Sequence, residues 1–327
     1  MDWKSKKVLV TGAGGFIGSH LTERLVELGA EVRAFVHYNA LGNRGWLDES
    51  PVKGDIEFLA GDVRDRDSVQ DAMRGREIVF HLAALIAIPY SYQAPDSYVR
   101  TNIGGTLNVL QAAHLQGVEM LLHTSTSEVY GTAQYVPIDE GHPLQGQSPY
   151  SASKIGADKM AEAFHKSFEL PVVTVRPFNA FGPRQSARAI VPTILTQLLA
   201  GGPVQLGKLT PTRDLNFVLN TVDGYILAAS TPEAVGHTLN LGSGREISIG
   251  DLARLIAGLL GKEIHLETDE SRLRPEKSEV ERLLAGSQLA RELLGWEPRV
   301  DLESGLKKTI EWFQGHRERY RSDGYVL

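Results

Sequence analysis

The run Val8-Leu9-Val10-Thr11-Gly12-Ala13-Gly14-Gly15-Phe16-Ile17-Gly18 carries the reading of the fold. Three aliphatic residues make a short strand, the glycines break it, and Ser19 to Leu28 continues with apolar residues at helical spacing. In a strand–turn–helix unit Gly12 permits the tight turn, Gly15 lets the backbone approach a pyrophosphate, and Gly18 allows close helix packing. A dinucleotide's phosphates then lie at a helix N-terminus with a favourable dipole. The competing reading is a cluster of turn glycines without a ligand, and the flanking strand and helix weigh against it.

Outward from this unit, Lys7–Val10, Val32–Val36, Ile56–Leu59, Ile78–Leu82, Met120–His123 and Val172–Val175 read as strands with helical stretches between them. Such alternation predicts an α/β fold, a Rossmann-like doubly wound parallel sheet covered on both faces. Beyond Pro177 the rhythm changes to loops rich in Gly and Pro, strand-like pieces at Val204–Leu206 and Thr238–Leu241, and amphipathic helices over Ile249–Leu260 and Leu302–Phe313. We expect residues 1–178 to form the dinucleotide-binding domain, rejoined by about 213–245. Residues 179–212 and 246–327 are expected to form a smaller C-terminal substrate-binding lobe.

A chain of 327 residues can bury a full core. The absence of cysteine removes disulfides, thiolate metal sites and a cysteine nucleophile, and no metal is expected. A net charge of −6 without a basic run gives no nucleic-acid footprint. No apolar stretch reaches membrane-spanning length and Met1 to Lys7 leads into a strand, so a cytoplasmic location without membrane partners is expected.

The residue ending the second strand of such a unit reports on the cofactor's ribose. Here Val36 occupies the expected acidic position, followed by His37-Tyr38-Asn39. Without a carboxylate a 2′-phosphate is tolerated, with His37, Arg33 or Arg44 as partners, while Asn39 or backbone serves a NAD ribose equally well. Asp62, after the third strand, is placed to accept from the adenine amino group; an Asx turn is the alternative.

Chemistry enters with Tyr150-Ser151-Ala152-Ser153-Lys154, whose Tyr and Lys share one helix face behind the start signal Ser148-Pro149. Ionising a tyrosine of pKa about 10 near neutrality takes roughly 4 kcal/mol. A lysine charge about 4 Å away supplies that at an effective dielectric near 20, so Tyr150 is expected to be drawn down and to act as a base. Upstream, Ser125-Thr126-Ser127-Glu128-Val129-Tyr130-Gly131 follows a strand and adds a carboxylate to the same site. Glu128 as a second base points to elimination after oxidation; the competing role is a carboxylate satisfying nearby backbone N–H groups.

Together these features resemble an extended short-chain dehydrogenase/reductase of the NAD-dependent epimerase/dehydratase family, over essentially the whole chain. The likeness is carried by Gly12-x-x-Gly15-x-x-Gly18, Gly61-Asp62, His81-Leu82-Ala83-Ala84, Asn102-x-x-Gly105-Thr106, Ser125 to Gly131 and Tyr150-x-x-x-Lys154. Arg176-Pro177-Phe178-Asn179, Gly182-Pro183-Arg184, Arg213-Asp214, Arg274-Pro275 and Leu294-Gly295-Trp296-Glu297-Pro298 extend it. Within the family the chain is most similar to nucleotide-sugar 4,6-dehydratases of the legionaminic acid pathway, through Ala84 to Tyr92, Gly182 to Arg188 and Arg274 to Arg282. Those enzymes act on nucleotide-linked N-acetylglucosamine.

The resemblance implies NAD, with NADP as the alternative, held by Gly12, Gly15, Phe16, Ile17, Gly18, His37, Asp62, Val63, Leu82, Ala83, Ala84, Tyr150 and Lys154. It implies substrate contacts from Pro89, Thr126, Asn179, Arg184, Arg213 and Arg274, with Arg188 a weaker candidate and ordinary surface ion pairs the competing fate of each arginine. The implied catalytic set is Thr126, Ser127, Glu128, Tyr150 and Lys154, converting UDP- or GDP-N-acetylglucosamine to the 4-keto-6-deoxy sugar nucleotide. Thr126 bonds the 4-hydroxyl, Tyr150 takes its proton as hydride leaves C4, Glu128 removes the C5 proton, water leaves C6 and hydride returns there. Glucose-type relatives carry Asp where Ser127 stands, so either Glu128 handles both protons or Ser127 relays one. UDP-glucuronate decarboxylase and 4-epimerase remain alternatives. A cofactor-binding sensor without turnover is a further one, which the intact Gly, Tyr and Lys positions disfavour. Asn102–Gln116 and Tyr150–Phe168 resemble the helix pair that forms a homodimer interface in the family, though their apolar stripes suit the sheet as well.

Overall fold

In the computed structural model, which describes residues 1–320, the glycine-rich turn lies between β1 (Lys7–Thr11) and α1 (Phe16–Glu27). There follow β2 (Glu31–His37), β3 (Ile56–Gly61), α2 (Arg66–Met73), β4 (Ile78–His81), α3 (Ile88–Gln93), α4 (Pro95–Tyr98) and α5 (Gly105–Gln116). Next come β5 (Met120–Thr124), α6 (Pro149–Phe168), β6 (Val172–Pro177), β7 (Ala180–Phe181), α7 (Ile190–Ala200), β8 (Val204–Leu206) and β9 (Thr212–Asp214). The chain continues through β10 (Asn216–Phe217), α8 (Val218–Ser230), β11 (Thr238–Leu241), β12 (Glu246–Ser248), α9 (Ile249–Leu259), β13 (Leu266–Thr268), α10 (Gln288–Leu294) and α11 (Leu302–Gln314).

Seven strands pair in parallel in the order β3-β2-β1-β4-β5-β6-β11. The hydrophobic run of β1 explains its central place: Val8 and Val10 enter the packing layer shared with α1 and α8, Leu9 enters the layer shared with α2 and α5, and all three are fully buried. The strand order reverses between β1 and β4, which opens a crevice at the C-terminal ends of the strands. Thr238–Leu241, a short piece beyond the change of rhythm in the sequence, is one of the two edge strands of this sheet, β3 being the other. Three two-stranded pairs, β7 with β10, β8 with β13 and β9 with β12, stand beside it. No helix among the described residues is long and apolar enough to cross a membrane.

Helix α6 begins where the sequence signals it. Ser148 and Ser151 form a reciprocal capping box and Pro149 takes the first turn. Between α4 and α5 the backbone runs as a π-helix over Val99–Gly104, which sequence periodicity does not indicate. Its buried Asn102 accepts from Leu85 N at 2.9 Å and donates to Leu85 O and Ser153 Oγ, tying the loop after β4 to α6. Val109, Leu110 and Ala113 of α5 face the sheet, while Leu115 and Phe168 at the ends of α5 and α6 are exposed.

Under the C-terminal ends of β5 and β6 lies a buried charge cluster. Asp158 of α6 accepts from His123 Nε2 (3.1 Å), Ser125 Oγ (2.7 Å) and the Arg176 fork (3.2 and 3.0 Å). Burial alone would raise this carboxyl, yet the His123 hydrogen bond and the Arg176 charge hold it down at about 2. Arg176 also donates to Tyr130 Oη, which donates to Asn240 Oδ1 of β11. Replacing Asp158 by Ala leaves Arg176 buried without its counter-ion, and is expected to cost about 3–5 kcal/mol of stability. The midpoint of urea unfolding measures this, and a loss below about 1 kcal/mol would contradict a dry, tightly coupled pair.

Candidate active site

The crevice opens into a cleft of about 1280 Å³. At its floor is the β1–α1 turn, where Gly12 adopts φ +70° and a Cβ would stand 2.8 Å from Ala83 N. A Cβ on Gly18 would lie 2.2 Å from Gly12 O, so the close packing expected there is real, whereas one on Gly15 would meet only Gly12 O at 3.2 Å. Helix α1 has no side-chain cap, and Phe16 and Ile17, whose N–H groups lack intrahelical acceptors, line the cleft. This cradle of unspent donors fits a pyrophosphate.

Along the adenosine end, His37, Asp62, Val63, Leu82, Ala83 and Ala84 all line the cleft. Asp62 makes the Asx turn weighed against adenine contact, accepting from Arg64 N at 2.8 Å, and it also receives the Arg64 fork. That fork holds its carboxyl below the usual range. Arg33 does not reach the site. It donates to Ala72 O and Arg74 O at the end of α2 and pairs with Glu57 at 2.9 Å.

At the other end, Thr126, Ser127, Glu128, Tyr150 and Lys154 come together as the sequence indicated, all buried at 9% exposure or less and all on the cleft wall. Thr126 caps a 3₁₀ turn over Ser127–Tyr130 by accepting from Glu128 N at 3.2 Å. That turn follows β5 directly and delivers Ser127 and Glu128 to the cleft. The Glu128 carboxylate accepts no hydrogen bond and makes no ion pair among the described residues, although its charge acts on both Tyr150 and Arg213. The alternative in which Glu128 serves backbone N–H groups therefore has no donor here.

The expectation that Lys154 draws the Tyr150 phenol down needs correction. Burial pushes the phenol well above its ordinary value, with the Thr126 hydroxyl opposing and the Glu128 charge adding to the rise. Lys154 Nζ donates to Thr124 O at 2.6 Å instead of to the phenol. Burial lowers Lys154 itself to about 8, with Asp158 acting the other way.

Among the expected substrate residues, Pro89, Asn179, Arg213 and Arg274 line the cleft. Asn179 Oδ1 is buried without a hydrogen-bond donor, a vacancy suited to a ligand N–H or O–H. Arg213 and Arg274 converge on Glu279, at 3.3 and 3.6 Å. Arg184 departs from its expected place: it adopts φ +70°, forks onto Glu23 of α1 at 2.9 and 3.0 Å, and does not line the cleft. Arg188 does line it, with Nε donating to Ser186 Oγ. Sequence reasoning passed over Glu279 and Asp158. Asp158 continues the spacing of Tyr150 and Lys154 by one more turn on the same helix face, a signal that was available; Glu279 lies five residues after Arg274, with no spacing rule to mark it.

UDP-glucose 4-epimerase of Mycolicibacterium smegmatis is 33% identical over 94% of this chain and 98% of its own length. dTDP-glucose 4,6-dehydratase of an Actinoplanes species is also 33% identical, over 95% and 98%. Among solved structures, DesIV, the dTDP-glucose 4,6-dehydratase of Streptomyces venezuelae with NAD and TYD bound, superposes with a TM-score of 0.88 at 29% identity, covering 96% of this chain and 98% of that one. The family described as GDP-mannose 4,6 dehydratase matches residues 9–309. From the glycine turn to α11, this chain belongs to the GDP-mannose 4,6-dehydratase family, which unites nucleotide-sugar dehydratases and epimerases.

Proposed function

We propose that the chain is a nucleotide-sugar 4,6-dehydratase that uses NAD and takes a UDP- or GDP-linked N-acetylglucosamine to its 4-keto-6-deoxy form. The observation that carries the reading is Glu128: a buried carboxylate on the cleft wall beside Thr126 and Tyr150, without a structural partner among the described residues. DesIV, a 4,6-dehydratase with NAD bound, supports the cofactor. The N-acetylglucosamine assignment rests on the sequence resemblance alone.

When bound, the nicotinamide supplies a place for hydride between its departure from C4 and its return to C6. Tyr150 Oη, with Thr126 Oγ1 beside it, removes the proton of the sugar 4-hydroxyl. Because burial opposes phenolate formation, Lys154 has to act as a cation near the phenol, turning from the Thr124 carbonyl that holds it here. Glu128 takes the C5 proton, which the 4-ketone acidifies, and returns a proton to the departing 6-hydroxyl so that water leaves. Ser127, buried in the same turn, stands by as a proton relay. Arg213 and Arg274 hold the diphosphate in competition with Glu279, as planar forks suit phosphate oxygens. Homodimerisation through the outer faces of α5 and α6 belongs to the same proposal.

A 4-epimerase is the second reading, favoured by the M. smegmatis relative. It needs Tyr150 and Lys154 but gives Glu128 no task. Glu128→Gln separates the two: it keeps shape and removes basicity, so dehydration should fall by about 10²–10⁴ while oxidation at C4 survives. Enzyme-bound reduced cofactor should accumulate in absorbance, and mass spectrometry should no longer detect loss of water. Wild-type dehydration in this variant would make the carboxylate structural. Ser127→Ala should lose less than about tenfold if Glu128 handles both protons, and far more if the serine relays.

Lys154 gives a pH-dependent test. Its folded value of about 8 lies below the unperturbed 10.5, so it is a cation below about pH 8 and neutral above. NAD affinity, measured by calorimetry, should weaken as pH rises through that value, and the break should vanish in Lys154→Met. A flat profile in the native protein would show that the ammonium does not serve the cofactor.

A further inference from the structure

We propose that Tyr92, Ser278 and Gln147 form a latch at the rim of the cleft, and that Tyr92 is a positioning residue whose bond to Ser278 keeps the oxidised sugar in place until hydride returns to it. The inference rests on the transient C4 oxidation read above and concerns residues to which that reading gives no part.

Tyr92 stands on α3 and lines the cleft beside Pro89. From the chain after β13, Ser271 to Pro275 and Glu279 also line it, as a strap that carries Arg274 between two 3₁₀ turns. The two walls meet where Tyr92 Oη lies 2.6 Å from Ser278 Oγ, and Ser278 Oγ donates to Gln147 O at 2.5 Å. A serine hydroxyl has a single proton and a carbonyl only accepts, so the Ser278 proton goes to Gln147 and Tyr92 is the donor to Ser278. This directed chain joins residues 186 and 131 positions apart. Gln147 is fixed in turn: its side chain donates to Lys277 O at 3.3 Å and accepts from Thr132 N at 2.6 Å, while Thr132 Oγ1 donates to Glu279 O at 3.3 Å. Gln147 directly precedes Ser148, the cap of α6, so the strap is tied to the start of the helix that carries Tyr150.

Solvent reaches the two ends of this chain unequally. Tyr92 is 36% exposed and Ser278 only 9%, so the outer bond is the one that opens with least loss, its hydroxyl passing to water. Opening there frees the strap from α3 while the Ser278–Gln147 bond stays closed, which makes the outer bond a fastening that substrate entry can undo and restore. The chemistry has a use for it. When hydride leaves C4 and Tyr150 takes the hydroxyl proton, the sugar becomes a ketone that has lost an electron pair to the cofactor. A ketone that departs at this stage takes away the acceptor for the returning hydride, and the protein is left with reduced cofactor, unable to oxidise another alcohol. Closing a site over its ligand prevents such side reactions. A strap that carries Arg274 and is fastened to α3 beside Pro89 closes over the ligand from both walls.

Tyr92→Phe, which keeps the ring and removes the donor, tests the latch in the cofactor-loaded protein given UDP- or GDP-N-acetylglucosamine. Borodeuteride added after turnover converts a released, undehydrated ketone into a sugar nucleotide that keeps its C6 oxygen and carries deuterium at C4, and mass spectrometry counts it against the dehydrated product. Escape per turnover should rise about three- to tenfold, the weight of one hydrogen bond, and bound reduced cofactor should accumulate in step with it. Ser278→Ala should match Tyr92→Phe, whereas Ser278→Thr, which keeps the hydroxyl, should retain the ketone as the native protein does. The proposal is overturned if escape is unchanged in Tyr92→Phe and Ser278→Ala, or if both lose initial rate or thermal stability without added escape, which would make the bridge a structural tie. If the native protein reduces no bound cofactor with either sugar nucleotide, the redox reading itself falls and the latch with it.

Discussion

A carboxylate buried away from water has to be matched by donors, and in this molecule the Asp158 carboxylate sets what its neighbours can do. His123 and Ser125 reach it from β5 and the residue beyond, and Arg176 reaches it from β6. Because removing water from an ion costs several kcal/mol, these contacts fix the rotation and height of α6 over the sheet. Tyr150, Lys154 and Asp158 form one ladder on that helix, four residues apart. Seating the lowest rung on β5 and β6 therefore sets the two above it at the mouth of the crevice, beside the Thr126–Glu128 turn that β5 delivers. Arg176 extends the network through Tyr130 to Asn240 on the edge strand β11, so the sheet's last pairing and the catalytic helix share one set of hydrogen bonds.

The arginines show how the same side chain is put to different ends by what lies within reach. Arg184 finds Glu23 and is spent on holding α1 to the loop after β7. Arg213 and Arg274 share a single carboxylate in Glu279, leaving an excess of positive charge on the cleft wall. A carboxylate shared by the two cleft arginines also draws their forks together and orients them before any phosphate arrives, reducing the reorganisation that binding requires.

Much of this was legible in the sequence because it rests on short-range rules. The strands of the first half fall within a residue or two of their hydrophobic runs, and Val204–Leu206 and Thr238–Leu241 end where their patterning ends. The glycine turn, the helix start at Ser148-Pro149 and the common face of Tyr150 and Lys154 follow from local geometry. What escaped depends on partners distant in the chain. Nothing near Arg184 announces Glu23, 161 positions earlier. The burial that raises Tyr150 comes from the folded cleft, and Lys154 turns to a carbonyl of β5 that only the packed sheet puts beside it. The π-helix at Val99–Gly104 answers to Asn102 reaching Leu85 and Ser153, again a long-range demand.

The contact between Trp46 and Trp312 couples two segments far apart in the chain. The loop that flanks the glycine turn rests on α11, far along the chain, with Leu47 fully buried in the same core as Phe313. If α11 loosens, every phosphate-binding residue is still present, but the surface on which their neighbours settle is lost. Cofactor binding is thereby linked to the docking of α11, because a ligand that binds only the docked form stabilises that form.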